Sequence, residues 1–444
     1  MLDVKRRYDI DWLRVIALFL LIFYHTAIIF HEMAYKLLFI QSDTHLNEIW
    51  PVMGLINIWR IPLLFFISGM GVFFAMKKRN NKQLIQERSR RILIPLVFGA
   101  LCIVPLQYLP VQKFYFSLFE ISYWRGPSHL WFLINIFSYV LIALPLFIYF
   151  KKNPENIIIK ISEKVINSFF GIYLFIIPII ILVITINPEY FSLFYMNIYG
   201  FVMGLCLFTM GFLFVLIDKT FFHAVKRTRY ISLIAAIILY SFRLILFELE
   251  GPNYLTAIES MCWIFTMFGF AVKYLNKDST LIRYLNEAVF PVYILHLLLM
   301  NIVAAFLLTP PMSATIVSTI AEIKPNSIAA EADLLAGDKL VNFNYERLYE
   351  EGFDSIVASR QGKVFIVDID VKNDKELGMK FETKVQINPL FSQTDRHKAV
   401  VFFRFLVINI LTLLGCFLIY EYLIRRYSII RPLFGLKNEK KKSL

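Results

Sequence analysis

The sequence predicts an all-α polytopic membrane protein of about ten transmembrane helices, with one small α+β insertion on its extracytoplasmic side. Three observations carry this. Of 444 residues, 58% are hydrophobic, 16% aromatic and only 18% charged, a balance too apolar for a soluble globular chain. Runs of about 20 apolar residues recur, each long enough to span ~30 Å of hydrocarbon. From about 312 to 398 that composition breaks: charges become frequent and long apolar runs vanish.

The runs fall near 10–31, 51–76, 92–110, 129–150, 168–187, 197–217, 230–249, 254–275, 287–309 and 399–424. Their even number puts both termini on one side. Lys5, Arg6 and Arg7, the seven basic residues between 77 and 91, Lys151 to Lys164, Lys219 to Arg229, Lys273 to Arg283 and the tail from Arg425 fall in alternate loops. The positive-inside rule makes that side cytoplasmic, in a plasma (inner) membrane. The first run is long, lacks a small-residue cleavage site and stays as the first helix. The formal charge of +13 is spent on orientation, so nucleic acid is excluded as a partner and membrane lipids are expected. Cys102, Cys206, Cys262 and Cys416 sit inside apolar runs without metal-ligand spacing, and read as packing residues.

Three regions follow: 1–311 with the first nine helices, 312–398 as the insertion, and 399–444 with the last helix and a basic cytoplasmic tail. Within the insertion, IVSTIAEI and KVFIVDIDV read as strands, AAEADLL as a short helix and LYEEGFDSIVAS as a longer amphipathic helix.

The first run holds an arginine and a histidine eleven residues apart, Arg14 and His25. At 3.6 residues per turn they share a helix face about 16 Å apart, with Asp11, Leu18 and Ile22 on the same stripe. An intramembrane guanidinium costs roughly 2.5–3.5 kcal/mol on insertion scales, which favours aiming both groups into a bundle cavity. The alternatives are a snorkelling anchor for Arg14 and an interhelical hydrogen bond for His25. In the second run, Arg60, Pro62, Ser68, Gly69 and Gly71 combine a charge, a kink and small residues for close helix approach. Arg88, Arg90 and Arg91 crowd the entrance of the third run, where guanidinium forks suit phosphate oxygens; lipid headgroup anchoring is the alternative. His129 and Trp131 open the fourth.

Taken together, Asp11-x-x-Arg14 with His25, Pro62 to Gly69, Arg88-x-Arg90 with Pro95, His129-Leu130-Trp131-Phe132 and Pro291-Val292-Tyr293-Ile294-Leu295-His296 resemble the acyltransferase-3 family of integral membrane acyltransferases. Within it, the opening and Arg90-Arg91-x-x-x-Pro95 look most like the membrane enzymes that succinylate periplasmic glucans. The resemblance implies an O-acyltransferase that takes an acyl group of acetyl or succinyl type from cytoplasmic acyl-CoA and passes it to a hydroxyl of an extracytoplasmic envelope glycan. It implies no tightly bound cofactor and no metal. It makes His25 a general base and Arg14 a catalytic residue that handles the acyl donor together with Arg88 and Arg90; Arg88, Arg90, Ser68, Trp131, His129 and Asp11 are substrate-binding residues and His296 a cavity-lining or structural one. The insertion resembles a PDZ domain through Pro325-x-Ser327-x-Ala329-Ala330 and Ala336-Gly337-Asp338, although Asp333 stands where such domains usually have glycine. This implies a possible peptide or protein partner. Two rival classes are a transporter, which the charges Arg60, Arg243, Glu248 and Glu259 in several runs keep open, and a non-catalytic sensor using the PDZ-like module.

Overall fold

The computed structural model describes residues 6–115, 121–308, 314–341, 355–361, 363–368, 377–387 and 397–437. Among these, nine helices are long and apolar enough to cross a membrane. They are α1 (Tyr8–Ile29), α2 (Asn47–Lys78), α3 (Asn81–Phe114), α4 (Ser128–Lys152), α7 (Ile198–Leu216), α8 (Asp218–Phe247), α9 (Asn253–Tyr274), α10 (Thr280–Leu307) and α12 (Lys398–Ile424). In a bilayer each must satisfy its own backbone hydrogen bonds, which a helix does within one segment.

The run expected over 168–187 is shorter than the others. It forms α6, Gly171–Ile186, after the surface helix α5 (Ile157–Asn167). Its first six residues wind as a tighter 3₁₀ helix and the last ten as α-helix, about 27 Å in all. The tight start needs glycine, since a Cβ at Gly171 would lie 1.6 Å from the Val165 carbonyl oxygen.

Close helix contact explains Gly69 of α2 but not Gly71, where an added Cβ would meet nothing within 4 Å. A Cβ at Gly69 would fall 1.9 Å from the Phe208 oxygen, and one at Gly211 2.1 Å from the Phe66 oxygen, so α2 and α7 approach backbone to backbone. Aromatic rings fill the space beside this seam, with Phe147 and Phe212 stacked at 3.7 Å. In α3, π-helical turns at Ser89–Leu93 and Gly99–Ile103 precede Pro95 and Pro105, relaxing the ladder where prolines donate nothing. Two of the buried charges that suited a transporter pair with each other: Arg243 holds Glu259 at 2.6 and 3.0 Å and also caps Leu249 and Gly54 carbonyls.

The insertion contains β1 (Ala314–Ile323), the short helix α11 (Ile328–Glu331), β2 (Lys339–Val341), β3 (Ser355–Arg360), β4 (Lys363–Asp368) and β5 (Met379–Ile387). The sheet runs β4-β3-β2-β1-β5 with antiparallel neighbours throughout. Ile320, Ile328, Leu334, Leu340, Ile356 and Ala358 make its core. The strand expected in IVSTIAEI forms, that expected in KVFIVDIDV forms over Lys363–Asp368 with 369–371 outside the described residues, and the short helix expected in AAEADLL forms at Ile328–Glu331. Where the helix expected over LYEEGFDSIVAS falls on described residues, the chain is not helical. The first seven residues of that stretch lie outside the described ones, and Ser355–Arg360 is a strand in which Ile356 and Ala358 face inward while Val357 faces out. That period of two wins because β2 and β4 pair with it on either side. Asp333 takes a left-handed φ of 56°, a conformation glycine suits and aspartate tolerates.

Candidate active site

A single cavity of about 1040 Å³ runs along α1, α2, α3, α4 and α10. Two stripes of helical spacing build its long walls. On α1 these are Arg14, Leu18, Leu21, His25 and Ile28; on α10, Asn286, Val289, Phe290, Tyr293, Leu297 and Asn301.

The end where α1 begins is cationic. Arg6, Arg14, Arg88, Arg91 and Arg283 all line it. Arg14 Nη1 donates to Asn286 Oδ1 at 2.9 Å and to Asp11 Oδ1 at 3.3 Å. Asp11 also takes Arg6 at 2.9 Å and is itself buried behind the cavity wall. Arg88 donates to the Gly71 carbonyl at 2.9 Å, and its Nε, like that of Arg91, is buried without a partner. Arg431, from the segment after α12, neutralises Glu287 at 2.9 Å, while Gly435 and Leu436 of that segment close part of the wall.

Deeper along α1 stand three histidines. His25 Nδ1 lies 2.9 Å from His296 Nε2 with the two rings 5° from parallel. His296 Nδ1 in turn lies 2.7 Å from the Tyr293 carbonyl oxygen, three residues back on its own helix. His129 meets His296 edge-on at 5.1 Å, and the Tyr293 hydroxyl donates to the His129 carbonyl at 2.5 Å. Arg60 lies beside this group, 2% exposed, its guanidinium 3.9 Å from the Tyr24 ring centre, with long bonds to Leu20 O and Asn57 Oδ1 at 3.4 and 3.3 Å. It makes no ion pair among the described residues. Beyond, Trp131, Tyr195 and Lys36 mark the other mouth.

Of the residues singled out from the sequence, Arg14, His25, Ser68, Arg88, His129 and Trp131 line one cavity. Ser68 does so with its hydroxyl turned back to Leu64 O at 2.7 Å. Arg90 does not join them: it is exposed, and Arg91 takes the place beside Arg88. Residues two apart on a helix point about 200° away from each other, whereas those three apart share a face. His296 sits behind His25 rather than in the wall. Sequence reading missed Asn286, whose signal was its place seven residues before Tyr293 on the α10 stripe, and missed the contact between His25 and His296.

A family model described as an acyltransferase domain matches residues 7–322, well over half of the chain. The match covers α1 to α10 and stops within β1, leaving α12 beyond it. No curated protein matches, and no solved structure does.

Proposed function

Because the chain belongs to the acyltransferase-3 family, we propose that it moves an acyl group from acyl-CoA, held at the arginine end of the cavity, to a hydroxyl presented to His25. One observation carries the reading: one cavity joins a cluster of guanidinium groups, suited to coenzyme A phosphates, to His25 about three helical turns away, with His296 bonded behind it.

The histidine chain assigns the base. A carbonyl oxygen can only accept, so Tyr293 O places the proton of His296 on Nδ1. His296 Nε2 then accepts from His25 Nδ1–H, and His25 Nε2 is left with its lone pair on the cavity side. As the acceptor oxygen attacks the thioester carbonyl, His25 Nε2 takes its proton; the tetrahedral intermediate collapses, the C–S bond breaks, and the proton leaves with the coenzyme A thiol. The products are the acyl ester and free coenzyme A.

The protein sits in a plasma membrane of bacterial type with both termini cytoplasmic, a reading supported by the basic loops at the Arg14 end. The acyl group is of acetyl or succinyl type and the acceptor an envelope glycan. The inserted sheet is a PDZ-like module on the outer face that positions an acceptor or a partner protein. Its support is the Pro-x-Ser-x-Ala-Ala and Ala-Gly-Asp runs and the short helix between β1 and β2.

Comparing envelope glycans and lipids by mass spectrometry, with and without the protein, tests the function. A lost acyl mass increment is expected and identifies donor and acceptor together; identical profiles, with no coenzyme A released by the purified protein, would overturn it. A cysteine at position 355 should react with a membrane-impermeant reagent in intact cells. Labelling only after permeabilisation would reverse the orientation.

A further inference from the structure

Near the histidines the cavity wall carries two buried amides that the acyl-transfer step leaves without a task. Asn301 is 1% exposed and Gln107 2%, and both line the cavity. Asn301 Nδ2 donates to the Gln107 backbone carbonyl at 3.2 Å, which commits its nitrogen and leaves Oδ1 with no donor. Gln107 Nε2 donates to Ser128 Oγ at 3.2 Å, and its Oε1 is likewise unpartnered. Buried polar atoms are nearly always hydrogen-bonded, so two orphaned acceptors beside one cavity call for a donor; each oxygen is itself closed off in this conformation, and its side chain must turn toward the cavity to meet one. They are close to the proposed chemistry. Ser128 precedes His129, whose ring touches His296, and Asn301 follows His296 by five residues on α10, about 7.5 Å along the axis.

The surroundings select the kind of donor. An ammonium group is disfavoured because buried Arg60 lines the same cavity and has no carboxylate partner among the described residues. Neutral donors remain, and of these the hydroxyl is the one that an acyl acceptor presents. The nearby mouth adds flat aromatic faces, with Trp131 and Tyr195 edge to face at 5.9 Å, suited to the C–H face of a sugar ring.

We propose that Gln107 Oε1 and Asn301 Oδ1 form an acceptor subsite that reads two hydroxyl groups of a neutral sugar and turns a third toward His25 Nε2. The proposal rests on the acyl-transfer reading for the third hydroxyl, but the two contacts can be tested without turnover. Hexyl β-glucoside and its 2-, 3- and 4-deoxy forms are titrated by calorimetry into the full-length protein in lipid nanodiscs. In the wild type, removing a hydroxyl that is read should weaken binding about three- to tenfold. In Asn301→Leu and Gln107→Leu, one such penalty each should disappear, whereas mere loosening of the wall would weaken all four glycosides equally. Should the leucine variants not fold, Asn301→Ser and Gln107→Met take their place. Absence of glycoside binding, equal affinity for all four glycosides in the wild type, or penalties that persist in the variants would overturn the subsite. Selective binding without any acyl transfer would instead overturn the proposed reaction and keep the subsite.

Discussion

His25 and His296 lie 271 positions apart in the chain yet hydrogen-bond at 2.9 Å with parallel rings, and the Tyr293 carbonyl behind them orients both. Two consequences separate base from orienter. His25→Ala should lower the acylation rate by ~10²–10⁴-fold with donor affinity retained. His296→Phe removes the acceptor for His25 Nδ1–H and should cost on the order of 10²-fold in kcat with little change in KM, while His296→Gln, which keeps an acceptor, recovers part of it. Steady-state kinetics of coenzyme A release reads both, and a fully active His25→Ala protein would sink the assignment.

At the other end of the cavity, Arg88 and Arg91 face inward while Arg90 faces out. Arg88→Ala and Arg91→Ala should each weaken acyl-CoA binding by about 10- to 100-fold, the range for a charge-assisted hydrogen bond. Arg90→Ala should do far less. Calorimetric titration with acyl-CoA decides, and equal losses at 90 and 91 would contradict the face assignment. Arg88→Lys should not restore affinity, because lysine has no fork.

The α2–α7 seam makes a sharper prediction about stability. Gly69→Ala and Gly211→Ala push a methyl into a carbonyl of the facing helix and should destabilise by about 1–3 kcal/mol, as overpacking does. Gly71→Ala meets nothing within 4 Å and should leave the melting temperature nearly unchanged. Thermal melting of the three solubilised variants tests the contrast.

In the insertion, Arg360 grips buried Asp338 through Nε–Oδ1 at 2.8 Å and Nη2–Oδ2 at 2.7 Å, and the Leu335 N–H adds a third bond. The Arg360 fork holds the Asp338 carboxyl below its ordinary value, against the opposing effect of burial. A depressed carboxyl contributes stability that is fully present above its unfolded value of ~3.9 and is lost as pH falls through the lower folded value. The protection of β2 and β3 amides against hydrogen exchange, taken relative to the intrinsic rate at each pH, should therefore fall below about pH 4 in the wild type. In Asp338→Asn the exchange should be faster already at neutral pH, with that acid step reduced.

Much of the architecture is legible in the chain because a bilayer leaves an apolar run of about 20 residues little choice but a helix. The shared face of Arg14 and His25 follows from helical pitch alone, and both do line the cavity. The sequence also marked Gly69 as a close-packing residue, though it could not say that Phe208 was the neighbour.

What only the tertiary structure decided concerns pairs that are distant in sequence. Nothing local to α1 says that α10 lies against it, so the bond from His25 to His296 and that from Arg14 to Asn286 could not be read beforehand. Arg91 was passed over for Arg90 because a motif records spacing, whereas the helix turns 100° at every residue and sends neighbours to different faces. The helix expected over LYEEGFDSIVAS extended into Ser355–Ser359, a stretch too short in apolar pattern to separate the two periods, and the pairing of β3 between β2 and β4 settled it as strand. In each case the deciding energy comes from a surface supplied by another part of the chain.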